Sequence, residues 1–278
     1  MSAMDVTSSW RRNRTSSKRS DTEECGRIWK RPFGHGTMRP DMEALIRTWK
    51  HAAGDGCVFL NIMKNGGVIR GMQRDRENKA WMTGLLIAAN VIVFLLCTLA
   101  GGSEDTGVLL RMGAVTGQLV SGGQWWRMFT AMFLHIGFLH LLSNMFSLFV
   151  IGSYMEKHFG HVRFLILYLC GGFLGYLFVW ICDILTEDSS LTAGASGAIF
   201  ALLGGLAAAT LFRRECVRDV SAPQTILIVL LMLFSGYSDG NISFTGHLGG
   251  LIGGFIIMIF ILPTMGRKSE TPCSTRTR

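Results

Sequence analysis

The sequence predicts an all-α membrane protein: a bundle of six transmembrane helices behind a basic, largely disordered N-terminal region. Three observations lead there. Of 278 residues, 49% are hydrophobic and only 17% charged, against about 25% charged in a soluble domain. The mean hydropathy is positive, at +0.34. The charges cluster outside apolar stretches long enough to cross a bilayer, which takes about 17–25 residues.

Residues 1–79 are polar and basic, with 16 Lys and Arg against 9 Asp and Glu. The opening MSAMDVTSSWRRNRTSSKRS is rich in Ser, Thr and Arg, lacks a clear apolar stripe and reads as a disordered arm. The run CVFLNIM is too short to span. Most of the formal charge of +8 lies in this region. A basic flank beside a membrane domain marks the cytosolic side or contact with anionic lipid rather than nucleic acid. The seven cysteines (25, 57, 97, 170, 182, 216, 273) show no paired spacing, so neither a disulfide framework nor a zinc site is indicated.

Residues 80–263 form the membrane domain. Its predicted spans begin with 80–100, 138–155, 164–182 and 195–212. The fifth, 222–237, is short, and the sixth is 243–263. Residues 264–278 form a short basic tail. Lys and Arg in short loops set orientation. Lys157 and Arg163, then Arg213, Arg214 and Arg218, fall on one side together with both termini, whereas 183–190 and 235–241 carry no Lys or Arg. Both termini are therefore expected in the cytosol.

In that orientation the second, fourth and sixth spans enter from the outer face. His140, Asn144, Ser196 and His247 then share one layer, about 5–10 Å below the outer end at 1.5 Å per residue. Polar groups in lipid are costly and face a bundle interior or a wet cavity. A lone Ser or His would be packing or a structural hydrogen bond; their conjunction points to chemistry. A neutral imidazole can take the proton of a serine near pH 7. His140 and Asn144 lie four apart on one helix face and both donate, as does the Ser196 N–H near a helix start. Gly246, Gly250 and Gly254 on one helix, and Gly197, Ala201 and Gly205 on another, repeat at i, i+4, a spacing that lets backbones approach closely. Gly194 and Ala195 keep the approach to Ser196 open.

Three competing readings are weaker, and the elbow motif among them is discarded. A zinc site of His135, His140 and His247 lacks a carboxylate on the same face. The G-x-S-x-G elbow fails at Ala198 and has no strand before it. A channel would need polar residues through the whole depth, but the inner parts of the fourth and sixth spans are apolar or small.

Residues 118–263 resemble the rhomboid family of intramembrane serine proteases. The motifs are GQWWR (123–127), His135, His140 and Asn144 in H-x4-H-x3-N, GASG (194–197), and GHLGGLIGG (246–254). The resemblance implies a serine endopeptidase of the basic six-helix form, without cofactor or metal. It would cut single-pass transmembrane substrates near the outer face through an acyl-enzyme. Ser196 would be the nucleophile and His247 the base. His140, Asn144 and the backbone N–H groups of Ala195 and Ser196 would form the oxyanion hole. His135, Trp126, Arg127 and Glu156 match structural positions, and Phe200 takes the place of an aromatic packed on the dyad histidine. The extra terminal spans of other family forms find no matching segment. The expected setting is the plasma membrane or a secretory-pathway membrane, with membrane lipids as surroundings and the mitochondrial inner membrane as the alternative. The alternative function is an inactive membrane chaperone or trafficking adaptor, although such forms typically lose the serine or histidine kept here.

Overall fold

The computed structural model describes residues 80–187, 190–217, 220–238 and 243–265. The proposed disordered arm and nearly all of the basic tail lie outside the described residues. The regular secondary structure among the described residues is helical apart from one isolated backbone bridge.

Helix α1 (Trp81–Leu99) is apolar on every side but not uniformly so in role. Thr83, Leu86, Asn90, Phe94 and Cys97 recur every three or four residues and are buried, while Trp81, Leu85, Ile92, Leu95 and Leu96 are exposed. This is the pattern of a peripheral helix with one face on protein and the other on lipid.

The connection to the next long helix is not a plain loop. It contains α2 (Thr106–Met112), α3 (Gly117–Ser121) and α4 (Arg127–Thr130). Asp105 accepts from the Val108 N–H and Thr116 from the Leu119 N–H, so side-chain caps satisfy the orphan donors that open the first two. Arg127 holds the segment together. Its guanidinium donates to Gln124 Oε1 (2.6 Å) and to the carbonyls of Leu110 (2.8 Å) and Ala114 (2.9 Å), and it lies 4.7 Å from the Trp126 ring centre.

Helix α5 (Phe138–Phe159) contains a π turn at Leu148–Gly152. At its far end the Glu156 carboxylate, 1% exposed, accepts from the N–H groups of Met82 (2.9 Å) and Thr83 (2.7 Å), from Thr83 Oγ1 (2.6 Å) and from His161 Nδ1 (2.5 Å). One carboxylate thus caps the start of α1 and ties it to the start of α6 (His161–Thr186).

Helices α7 (Ser196–Phe212), α8 (Ala222–Ser238) and α9 (Phe244–Ile261) complete the described bundle. By length and hydropathy, α1, α5, α6 and the α9 segment suffice to cross a membrane. Six apolar helices stand where six spans were expected, but α7 and α8 have only 17 residues each. At 1.5 Å per residue α7 reaches about 26 Å, short of a hydrocarbon core of about 30 Å. Burial of α7 explains its all-round apolar character: every residue from Gly197 to Leu206 is buried, between α6, α8 and α9.

Glycine sets how closely these helices meet. A methyl at Gly250 would sit 2.9 Å from the Gly197 carbonyl carbon and closer to its oxygen; one at Gly254 would meet the Ala201 backbone at 2.5 Å. On α7 the sequence pattern is corrected at one point. Gly205 abuts Leu167 of α6 and Met258, and the neighbouring Gly204 makes the close approach to the Leu251 backbone of α9. The second glycine row of α9, Gly249 and Gly253, faces Phe178 and Leu174 of α6.

Candidate active site

The site lies where α5, α7 and α9 start. The strand-like lead-in to α7 is tied to the α2–α4 segment by reciprocal bonds between Val115 and Thr192 (3.0 and 2.9 Å) and by Gly194 N–H to the Ala131 carbonyl (2.9 Å). Gly194 adopts φ +140°, a region that side chains disfavour. It also has no room: a Cβ there would be 2.9 Å from His140 Cε1, 3.1 Å from His140 Nε2 and 3.8 Å from Ser196 Oγ. The His140 ring and the Ser196 hydroxyl therefore converge on Gly194.

Ser196 is the first residue of α7 and half-buried. Its N–H is among those that open a helix without an intrahelical acceptor, at the positive end of the helix dipole. Ala195 is oriented differently: its N–H points to His135 Nε2 at 3.5 Å. His135 is fully buried and meets His140 edge-to-face at 5.2 Å. Burial, with the His140 charge adding, holds its imidazole down at about 3, so it is neutral and able to accept.

Asn144 is 5% exposed and gives one amide N–H to the His140 carbonyl (3.0 Å). A carboxamide has two such hydrogens, so one donor remains to spend. His247, one turn into α9, is 4% exposed and stacks on Phe200 at 4.2 Å with an interplanar angle of 18°. Neither ring nitrogen of His247 makes a hydrogen bond within the described residues. A buried imidazole without partners costs free energy and keeps both its acceptor and its donor for another group. Ser243 caps α9 by accepting from the Gly246 N–H (3.2 Å). The Gly246 carbonyl comes within 3.4 Å of where a Gly197 Cβ would stand and 3.0 Å of a Gly175 Cβ, so three helices meet just beside Ser196 and His247.

Trp126, Arg127 and Glu156 touch none of these groups; they hold the segments that carry them. Two participants escaped the sequence reading. One is the small-residue row of α6, where Gly171 meets Ala201 and Gly175 meets Gly246 and Gly250; its i, i+4 spacing was a readable signal. The other is Tyr176 on α6, whose hydroxyl lies 2.9 Å from the Gly194 carbonyl and 3.1 Å from that of Ala131. No local pattern distinguishes this tyrosine from an ordinary apolar filler.

A serine at a helix start, donors on neighbouring backbone and side chains, and an unengaged imidazole are the components acyl transfer requires. Residues 122–264 match the family model described as the Rhomboid domain. The chain is 37% identical over 180 residues to "Rhomboid protease GluP" of Bacillus subtilis (strain 168), a match covering 65% of this chain and 34% of that protein. It is 31% identical over 185 residues to "Putative rhomboid protease YdcA" of the same organism, covering 66% and 89%. It is also 35% identical over 159 residues to "RHOMBOID-like protein 5" of Arabidopsis thaliana, covering 54% and 50%. The chain thus spans about a third of the first of these relatives and half of the third.

Proposed function

The chain belongs to the rhomboid family, and from that premise we propose that it is an intramembrane serine endopeptidase acting on transmembrane-helix substrates. Ser196 Oγ attacks the scissile carbonyl while His247 takes its proton, then returns it to the leaving amine. The oxyanion is held by the Ser196 N–H, His140 and Asn144. Water, activated by the same imidazole, releases the acyl-enzyme. A substrate helix must unwind locally before its peptide bond reaches Ser196, which favours sites with helix-weakening residues.

The observation that supports this reading best is His247: buried, stacked on Phe200 and with both nitrogens unspent, one turn from the tight α7–α9 approach beside Ser196. An apo site often holds its catalytic hydrogen bonds loosely. The same absence of a bond suits a second reading, a non-catalytic membrane chaperone or adaptor. A serine-reactive fluorophosphonate probe and a model single-pass substrate separate them. Labelling and cleavage by the wild type, both lost in Ser196→Ala, support the protease. Cleavage by Ser196→Ala at the wild-type rate overturns it.

We further propose that all six apolar helices span, that both termini are cytosolic and that cleavage occurs near the outer face. Cysteine accessibility across sealed vesicles tests the orientation.

A further inference from the structure

We propose that Tyr176 is a positioning residue that locks the Gly194–Ala195 peptide and so decides which backbone N–H serves the oxyanion. This rests on the protease reading above. Tyr176 is 4% exposed, and its hydroxyl has one proton shared between the carbonyls of Gly194 (2.9 Å) and Ala131 (3.1 Å). Burying a hydroxyl in a membrane bundle costs free energy unless it is hydrogen-bonded. Here both acceptors belong to the site: Ala131 already receives the Gly194 N–H at 2.9 Å and starts the turn that leads to His135.

A trans peptide is planar, with its C=O and N–H pointing in opposite directions. Holding the Gly194 oxygen on the α6 side therefore aims the Ala195 N–H away from it, at His135 Nε2 (3.5 Å). Gly194 permits the rotation about ψ that would undo this, since it has no side chain to restrict its backbone dihedrals. Tyr176 removes that freedom. The consequence is specific: Ala195 N–H faces His135 Nε2, and the oxyanion hole consists of the Ser196 N–H, His140 and Asn144. The same lock keeps Gly194 against the His140 ring, where its missing Cβ leaves the space that ring occupies.

The test compares Tyr176→Phe with Tyr168→Phe, in the full chain in lipid nanodiscs. Tyr168 lies two turns away on the same helix, is equally buried and is not bonded to the site. Each variant is measured well below its own melting transition. Expected for Tyr176→Phe is a fall of about 10-fold in kcat and in fluorophosphonate labelling, KM staying within about two-fold, as for a group displaced by a fraction of an ångström. Amides of residues 191–196 should also exchange hydrogen faster. Tyr168→Phe should leave all of these unchanged. Wild-type kcat and wild-type exchange in Tyr176→Phe, or equal losses in both variants, overturn the proposal. If the wild type neither labels nor cleaves, the protease reading fails instead, and exchange at 191–196 still decides whether Tyr176 locks the peptide.

Discussion

Gly250→Ala puts the relation between packing and chemistry to a direct test. The added methyl would lie 2.9 Å from the Gly197 carbonyl carbon, 3.2 Å from Gly197 Cα, and closer to the carbonyl oxygen. These are backbone atoms, with no flexible side chain to swing aside. Restoring ordinary contact needs an opening between α7 and α9 on the order of 1 Å. Gly197 directly follows Ser196, and His247 precedes Gly250 by one turn, so that opening falls between the two groups proposed above to exchange a proton. A misplacement of about 1 Å costs roughly 100-fold in rate, equivalent to about 2.7 kcal/mol in barrier. Overpacking adds about 1–3 kcal/mol of destabilisation. Labelling by a fluorophosphonate in nanodiscs, read beside the melting temperature, separates these effects. Gly84→Ala is the control, since a methyl there meets nothing within 4 Å. Gly246→Ala should be milder, because it meets the movable Val179 and Ser243 side chains. Wild-type labelling by a folded Gly250→Ala would refute the view that glycine contact positions the proposed dyad.

Three other perturbations follow from named contacts. Arg127→Ala removes a buried guanidinium shared among Gln124, Leu110 and Ala114. It should cost about 3 kcal/mol or more and expose residues 101–130 to proteolytic nicking; Arg127→Lys should recover little, since one ammonium cannot span the three acceptors. Glu156→Gln places an amide donor among four donors and should lower stability by about 2–3 kcal/mol. Its effect on Ser196 labelling below the melting transition should be negligible, because Glu156 lies about 24 Å along α5 from His140. His135 titrates at about 3 in the folded chain against an ordinary 6.5. Between those values the unfolded chain binds a proton that the folded chain does not, so stability falls as pH drops below about 6.5 and levels off near 3. At pH 5 this amounts to about 2 kcal/mol. Thermal melts of wild type and His135→Gln at pH 7.5 and 5 should differ by that amount in their pH dependence; equal slopes would place the His135 proton differently.

How much of this was legible varies by element. The six apolar helices begin and end within a few residues of the stretches read from hydropathy, because lipid exposure and burial both demand apolar side chains over a bilayer's thickness. Hydropathy did not reveal α2, α3 and α4, short helices held by caps and by Arg127 rather than by an apolar stripe. Nor did it distinguish α1, which turns an apolar face to lipid along its length, from α7, which exposes only Leu211 and Phe212 at its end.

The candidate site divides the same way. Ser196, His247, His140 and Asn144 each fall within about two turns of a helix start, a position readable by counting residues. Glycine spacing on α7 and α9 foretold a close approach for the same reason. Which glycine meets which backbone could not be counted. Gly204 rather than Gly205 faces Leu251, and Ala195 turns its N–H to His135. Helix rotation and peptide orientation come from contacts made across long sequence distances, such as Tyr176 to Ala131. The sequence by itself determined the apolar helices and the residues capable of chemistry, through periodicity and hydropathy. Tertiary structure alone decided which donors are already engaged and which imidazole is left unspent, because that depends on packing among three helices that no local pattern encodes.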